Sequence, residues 1–379
     1  PARAAVGLYE ALIAAQAPVA FTSIPVPTLG DFESAPAVVE LRLPDGKTRV
    51  ALWTRELPEV ARLDEAAARY RLPPGRVIRV ASAARDQARL DERAPTPLDV
   101  TRAVSAEVAQ KVAVLGTRID DAQTWDDVVL PAATMGAVQE IVSRARHRHR
   151  VLHEWGFERK LAKGLGLSAL FAGPPGTGKT MVAGLIAREL ALELYQIDLS
   201  RVVSKYVGET EKNLAEVFDA ADWGNVLLLF DEADALFSRR TDVKSSNDRF
   251  ANMEINYLLQ RLERFEGVSI LTTNLEGSID TAFKRRLSFR VGFPMPDASE
   301  REVLWRRMVP TEAPIVDLDV AALAQAYEFT GGNIRNAMLR AAYLAASEGA
   351  VITTDHVHRA VTLEYHDAGQ LSIGGKLHQ

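Results

Sequence analysis

The sequence reads Gly173-Pro174-Pro175-Gly176-Thr177-Gly178-Lys179-Thr180 at the point that decides its fold. This stretch follows the apolar run Leu167–Ala172 and precedes residues 181–191, whose apolar side chains recur at helical spacing. A strand, a glycine-rich turn and a helix are the setting of a phosphate-binding loop, in which backbone N–H groups and the positive end of the helix face the phosphates. In such a loop Lys179 reaches the β- and γ-phosphates, and the Thr180 hydroxyl binds Mg²⁺. The sequence therefore predicts a nucleotide-binding site.

Composition limits the classes of protein that this chain can belong to. Its 379 residues suggest two or three domains, and 47% hydrophobic with 25% charged residues is ordinary for a globular protein. The net charge of −5 gives no overall basic surface for nucleic acid. The absence of cysteine excludes disulfides and thiolate metal sites and favours a reducing cytoplasm. Because no apolar stretch is long enough to span a bilayer, we expect a cytoplasmic protein without a membrane partner.

From residue 167 onward, apolar β-rich runs alternate with helical patterns. The expected strands are Leu167–Ala172, Leu194–Asp198, Asn225–Phe230, Val268–Thr273 and Phe289–Gly292. This alternation predicts βαβ units, and therefore an α/β fold with a parallel sheet between two layers of helices. Residues 297–365 have a mainly helical pattern and should form a separate helical subdomain.

Polar residues end two of the expected strands. Asp231 and Glu232 follow the apolar residues 225–230, and Asn274 follows Val268–Thr273. Ligands of an open α/β sheet bind at the carboxyl ends of its strands. We expect Asp231 to hold Mg²⁺ through water, Glu232 to polarise the attacking water, and Asn274 to hydrogen-bond the γ-phosphate or that water. The sequence thus predicts hydrolysis in addition to binding.

Together these segments resemble the AAA+ ATPase family, and closely its branch with the second region of homology. Gly173–Thr180 is similar to the Walker A motif, residues 227–232 to the Walker B motif, and Asn274 to sensor 1. The resemblance covers residues 120–365 and implies a P-loop NTPase core with a C-terminal helical lid. It also implies ATP or ADP and Mg²⁺ as cofactors, with Thr180 and Asp231 on the metal.

The same resemblance implies roles for residues outside these motifs. Arg285 is the better candidate for an arginine finger, Arg286 is the second, and Arg335 matches the sensor 2 arginine of the lid. The nucleotide site extends to Met181 and to Val128, at the end of a segment that in this family runs beside the adenine. The family's pore loop, which grips a threaded polypeptide, is matched by Lys205, Tyr206, Val207 and Gly208. A finger supplied in trans implies a homo-oligomeric ring, for which we expect a hexamer.

An internal repeat precedes the main module. Pro44-Asp45 and Leu52-Trp53 recur as Pro296-Asp297 and Leu304-Trp305 at one constant spacing, and Arg102-Ala103-Val104 recurs later as Arg359-Ala360-Val361. Shared alanine-rich helical composition is the alternative explanation, but the ordered recurrence of Trp, Pro, Tyr and Arg-Ala-Val favours a duplicated unit. We therefore expect a second lid-like helical domain in front of the nucleotide-binding core.

The repeat divides the chain into five expected segments. These are a remnant or partial degenerate module at 1–43, a lid-like helical domain at 44–105, a linker at 106–130, the nucleotide-binding core at 131–294, and the helical lid with a C-terminal tail at 295–379. The residues before Asp45 contain no phosphate-binding loop. Either this module is degenerate or the chain belongs to a longer protein, and in both cases we expect one catalytic site.

The leading hypothesis is a ring-forming ATPase that remodels, threads or disassembles protein substrates or a large protein assembly. A degenerate module before an active one also resembles the ATPases of contractile, phage-tail-like injection systems. The alternatives are a nucleic-acid loader or initiator, which the acidic balance disfavours, and a scaffold switched by ATP, which Glu232 and Asn274 disfavour. The basic run of residues 144–150 would suit nucleic acid, but such a run is more often a solvated face or a subunit contact.

Overall fold

The structure is a computed structural model that describes residues 43–120, 123–160, 166–199, 209–234, 257–274 and 285–367. The chain divides into two compact units, Pro1–Leu43 and Pro44–Gln379, and the description below concerns the second. The expected pore-loop residues 205–208, nearly all of the expected N-terminal module and the end of the C-terminal tail lie outside the described residues.

In the part of the chain that the structure describes, four helices precede the sheet. They are α1 (Gly46–Glu56), α2 (Leu63–Arg69), α3 (Pro74–Leu90) and α4 (Pro97–Val112). The Asp45 carboxylate caps the first helix by accepting a hydrogen bond from the Thr48 N–H at 2.8 Å. Thr96 and Asp99 form a capping box at the start of the fourth. Because α4 ends at Val112, the segment expected to be a linker from residue 106 begins inside a helix.

A six-stranded sheet forms the centre of the fold. Its strands are β1 (Gly116–Ile119), β2 (Leu167–Ala172), β3 (Glu193–Ile197), β4 (Val226–Phe230), β5 (Val268–Thr273) and β6 (Phe289–Gly292). The spatial order is β1-β3-β4-β5-β2-β6. β1 pairs antiparallel with β3, and the other pairs are parallel. The predicted α/β fold is confirmed, and each of the five expected strands is present to within a residue of its expected ends.

Helices cover both faces of this sheet. They are α5 (Ala132–His149), α6 (Lys179–Glu189) and α7 (Glu209–Gly224), together with helical residues 257–264. Single turns of 3₁₀- or π-helix occur at Trp125–Asp127, Arg150–Glu154 and Phe157–Lys160. On one face, α5 and α6 pack through residues such as Ile141 and Ile186 against Phe171 and Leu229. On the other face, α7 and the first four helices share one apolar core with Leu228. The central strand β4 is therefore buried throughout, as parallel strands between two helical layers are.

Four further helices form the lid. They are α8 (Ala298–Arg307), α9 (Val320–Ala326), α10 (Gly331–Ser347) and α11 (Thr354–Asp367). They enclose a separate apolar core around Trp305, which is fully buried. Among the helices in the described part of the chain, none combines the length and apolar character needed to cross a membrane.

The first four helices and the lid are built alike. α1 to α4 contain 11, 7, 17 and 16 residues, and α8 to α11 contain 10, 7, 17 and 14. Trp53 and Trp305 occupy the centres of the two units and are both fully buried. In each unit an arginine of the first helix donates one hydrogen bond from Nε to the second helix and one from Nη1 to the residue before the helix cap. These pairs are Arg49 with Ala67 O (2.9 Å) and Pro44 O (2.9 Å), and Arg301 with Ala324 O (2.8 Å) and Pro296 O (2.7 Å).

Candidate nucleotide-binding and catalytic site

The glycine-rich loop connects β2 to α6. Gly176 and Gly178 have φ angles of +78° and +93°, a conformation that glycine adopts without the steric cost of a side chain. The Thr177 hydroxyl donates to the Pro174 carbonyl at 2.8 Å and closes the turn. Gly178 is the N-cap residue of α6, so the positive end of that helix opens onto the loop. Local sequence therefore produces the backbone of a phosphate site.

Lys179 lies inside the loop that precedes it. Its Nζ donates to the carbonyls of Gly173 and Pro174 at 2.7 and 2.8 Å, and to Oδ1 of Asn274 at 2.9 Å. Burial lowers the pKa of the Lys179 ammonium, while the nearby Asp231, Asp234 and Glu232 carboxylates oppose that shift. The structure thus brings together the lysine and the asparagine that the sequence singled out. Phosphate oxygens are acceptors of the same kind as the three that this ammonium now contacts.

Asp231 and Thr180 also come together. The Thr180 hydroxyl lies 3.4 Å from both carboxylate oxygens of Asp231, and the Gln196 amide donates to Oδ2 of Asp231 at 3.0 Å. A hydroxyl and a carboxylate are the hard oxygen ligands that Mg²⁺ prefers. In the described ranges, no group of three or more His, Cys, Asp or Glu side chains could hold a metal. The residues therefore fit an Mg²⁺ ion bound by few protein ligands together with phosphate oxygens, as is usual for this ion.

Glu232 follows Asp231 and is exposed to solvent. Its φ of +50° lies in the left-handed region, which is unfavourable for a residue with a side chain. Its backbone N–H donates to Oγ1 of Thr272 at 3.0 Å. Glu232 therefore lies next to Asp231 at the carboxyl end of β4. Its turn is held in place by the hydrogen bond to Thr272 of β5.

Asp234 anchors the asparagine. Its carboxylate accepts hydrogen bonds from the Asn274 N–H at 3.0 Å and from the Thr273 hydroxyl. Sequence reasoning missed Asp234, Thr272 and Gln196 as members of the site. The available signal for Asp234 was its place directly after Asp231-Glu232-Ala233, whereas the other two contacts depend on how the strands align across the sheet.

The lid reaches the loop through the start of α10. The Gly332 N–H donates to the Gly176 carbonyl at 3.0 Å. Arg335 is the fifth residue of α10, three residues beyond Gly332, and its side chain is exposed. Val128 is buried, and its carbonyl accepts a hydrogen bond from Arg307 of the lid at 3.1 Å. The structure thus joins the start of α10 to the loop, and the segment before the core to the lid. Among the described residues, the Arg335 side chain makes no hydrogen bond or ion pair with the loop.

The two candidate finger residues differ in their surroundings. Arg286 forms an ion pair with Glu263 at 2.8 Å. Arg285 is exposed and has no hydrogen-bond or ion-pair partner within the part of the chain that the structure describes. Met181, the remaining predicted nucleotide contact, packs against the apolar core beneath the loop. Within the described ranges, the two arginines therefore differ in that Arg286 is paired and Arg285 is not.

The fold and this site define the chain as a P-loop nucleotide-binding protein of the α/β class. Residues 169–295 match the family model described as "ATPase family associated with various cellular activities (AAA)". The uncharacterized AAA family ATPase y4kL of Sinorhizobium fredii is 33% identical over 184 residues, which are 48% of this chain and 53% of that protein. The ATP-dependent zinc metalloprotease FtsH 3 of Sphaerobacter thermophilus is 32% identical over 235 residues, covering 60% of this chain and 46% of that protein.

A solved structure shares the same fold. The FIGL-1 AAA domain superposes with a TM-score of 0.54 over 68% of this chain and 88% of that chain, at 20% sequence identity. Residues 169–295 therefore match the AAA family in sequence, and the resemblance of the motifs to the AAA+ ATPases is confirmed. The whole chain spans about half the length of the two curated relatives described above.

Proposed function

We propose that this chain is an Mg²⁺-dependent ATP hydrolase that acts as a ring of identical subunits and remodels proteins. The observation that carries the catalytic part is the meeting of Lys179, Asp231 and Asn274 at the carboxyl ends of β2, β4 and β5. Glu232 stands beside them on the turn after β4. Phosphoryl transfer depends on positioning and positive charge rather than on covalent chemistry, and this arrangement supplies both.

Each side chain then has one task. The Lys179 ammonium exchanges its present carbonyl acceptors for phosphate oxygens, and Thr180 and Asp231 hold the metal. Bound Mg²⁺ would supply further positive charge for the β- and γ-phosphates. Glu232 accepts a proton from the attacking water, and the Asn274 amide orients that water or the γ-phosphate. Because Asp234 fixes the backbone of Asn274, the asparagine can release Lys179 without leaving its place.

The ring is supported by Arg285. An exposed guanidinium without a partner in the described part of its own chain is suited to a nucleotide held by a neighbouring subunit. Arg335 on the lid would add positive charge from within the same subunit. A hexamer is the stoichiometry that the family resemblance implies.

The sequence supports the proposal that the substrate is a protein. Lys205, Tyr206, Val207 and Gly208 resemble a loop that grips a polypeptide, and one relative is by its name a metalloprotease. The net charge of −5 argues against a nucleic-acid substrate.

We also propose that residues 44–105 are a second copy of the lid. The support is the matching order and lengths of the helices and the matching arginine contacts of the two units. The second copy covers a face of the core rather than the glycine-rich loop. On this proposal the protein has two lid-like units and one catalytic site.

Glu232→Gln tests the proposed function directly. The variant keeps the shape of the side chain but cannot accept a proton, so we expect ATP binding close to wild type and turnover reduced at least about a hundredfold. Lys179→Ala should abolish ATP binding itself, and it serves as the binding-deficient control for Glu232→Gln. Tight ATP binding by Lys179→Ala, or unchanged turnover by Glu232→Gln, would falsify the assignment. Comparing ATPase rates with added unfolded protein and added DNA then separates the two substrate classes.

A further inference from the structure

Thr272 is a buried polar residue that the catalytic scheme above does not use. It lies in β5, and only 1% of its surface is exposed. β4 and β5 are aligned so that Phe230 is opposite Leu271. Asp231 and Thr272 are the next residues along these two parallel strands, so Thr272 stands beside the start of the catalytic turn.

The Thr272 hydroxyl makes two hydrogen bonds, one with the Asp231 carboxylate and one with the backbone of Glu232. It donates its proton to Oδ1 of Asp231 and accepts the backbone N–H of Glu232 at 3.0 Å. The Thr272 carbonyl accepts the N–H of Ala233 at 2.8 Å. One residue therefore holds three consecutive residues of the neighbouring turn.

Two features of the turn make these contacts consequential. Glu232 has a φ of +50°, and a strained backbone of this kind persists only where the surrounding structure fixes it. The other oxygen of Asp231 already accepts the Gln196 amide at 3.0 Å, so the Thr272 hydroxyl and this amide together set the carboxylate plane. That plane places both Asp231 oxygens 3.4 Å from the Thr180 hydroxyl.

We propose that Thr272 is a positioning residue for hydrolysis, which fixes the Asp231 carboxylate toward the metal and the Glu232 turn toward the attacking water. The proposal rests on the function proposed above. The hydroxyl supplies a donor and an acceptor at one point, which serine reproduces and valine, of the same shape as threonine, does not.

The test compares Thr272→Val with Thr272→Ser. Loss of a hydrogen bond to a charged group commonly changes a rate or equilibrium constant by about one to two powers of ten. We therefore expect kcat to fall at least about tenfold in Thr272→Val. We expect the KM for MgATP to change less than kcat does, because Lys179 and the loop are untouched. Thr272→Ser should restore kcat to within about threefold of wild type.

A binding measurement provides a readout that is independent of turnover. Fluorescence titration with N-methylanthraniloyl-ATP gives its Kd in Mg²⁺ and in EDTA, and the ratio of the two values reports how well the metal is held. We expect Thr272→Val to lower the ratio of the Kd in EDTA to the Kd in Mg²⁺ at least about threefold, while the Kd in EDTA itself stays near wild type. Ser269→Ala is the control, since Ser269 is equally buried in β5 but stands opposite Leu228, three residues before Thr272.

The outcomes separate this inference from the proposed function. If wild type does not hydrolyse ATP, the proposed function fails. If wild type is active and Thr272→Val matches it in kcat and in metal dependence, the positioning role is refuted. Equal losses in Thr272→Val and Thr272→Ser also refute it, because the hydroxyl would then be irrelevant. If Thr272→Val does not fold, judged by its thermal unfolding, Thr272→Ala against Thr272→Ser makes the same comparison.

Discussion

Replacing Gly176 by alanine should separate the lid from the glycine-rich loop. Gly176 has a φ of +78°, and an added Cβ would lie 2.5 Å from Oγ1 of Thr330 and 3.3 Å from Cα of Gly332. Both neighbours belong to the start of α10, which the Gly332–Gly176 hydrogen bond joins to the loop. The substitution therefore strains the loop backbone and pushes on the lid at the same point.

The size of the effect follows from these two costs. A left-handed residue with a side chain costs about 1–2 kcal/mol, and overpacking a tight contact costs about 1–3 kcal/mol. In the free protein the loop or the lid can move and so relieve the strain. Nucleotide binding requires the loop and the lid in their original positions, so the strain then lowers the affinity. Taking the lower end of each range, binding should lose about 2 kcal/mol, or about 30-fold in Kd.

Two other glycines provide matched controls. Gly349 has a φ of +64° but no atom within 4 Å of an added Cβ, so Gly349→Ala carries the backbone strain alone. Gly292 has neither a positive φ nor a close neighbour. Fluorescence titration with N-methylanthraniloyl-ADP, together with urea unfolding, measures binding and stability in all three. We expect Gly349→Ala to lose about 1 kcal/mol of stability without loss of affinity, and Gly292→Ala to change neither. A Gly176→Ala Kd within about threefold of wild type would refute the reasoning, since loop and lid would not need their contact.

Three further predictions test other parts of the molecule. Mixing Arg285→Ala subunits with Lys179→Ala subunits should restore some ATPase activity, whereas Arg286→Ala alone should be close to wild type; absence of rescue at every ratio contradicts a finger in trans. Tyr206→Ala should keep basal ATPase activity and lose remodelling of a protein substrate, so normal remodelling would exclude a gripping role. Burial raises the pKa of the Asp222 carboxyl from 3.8 to about 7, so the folded chain keeps a proton that the unfolded chain loses. Stability measured by urea unfolding should therefore fall as the pH rises between these values, and Asp222→Asn should reduce that fall; equal slopes for both proteins contradict it.

The strands were predictable because a buried strand consists mainly of apolar residues, a pattern that is visible in the sequence. β4 is a continuous apolar run, and a strand covered by helices on both faces has no polar side to obscure it. β1 lacks such an apolar run, since two of its four residues are exposed and it is an edge strand of the sheet. It was consequently included in the expected linker, although it joins the first four helices to the sheet.

The meeting of the candidate site residues was predictable for a related reason and within a definite limit. Lys179, Asp231 and Asn274 each end a recognisable strand or loop, and the carboxyl ends of parallel strands meet at one sheet edge. Their supports are set by alignment between strands that are far apart in sequence. The hydroxyl of Thr272 reaches Asp231 across 41 residues, and the Gln196 amide reaches it across 35. No local pattern specifies either contact, so the sequence indicated which candidate residues lie together but not which residues hold them in place.

The two helical units show how one four-helix arrangement can serve different purposes. The first unit shares a continuous apolar core with the sheet, including Val108, Leu228 and Leu271. The lid has its own core around Trp305, and it meets the loop through a backbone hydrogen bond at Gly332. Apolar burial contributes far more to attachment than single hydrogen bonds, which are worth about 1 kcal/mol each. We therefore expect the first unit to stay fixed to the core and the lid to be the part that moves when nucleotide binds. Any conformational change driven by hydrolysis is therefore expected at the loop–lid contact.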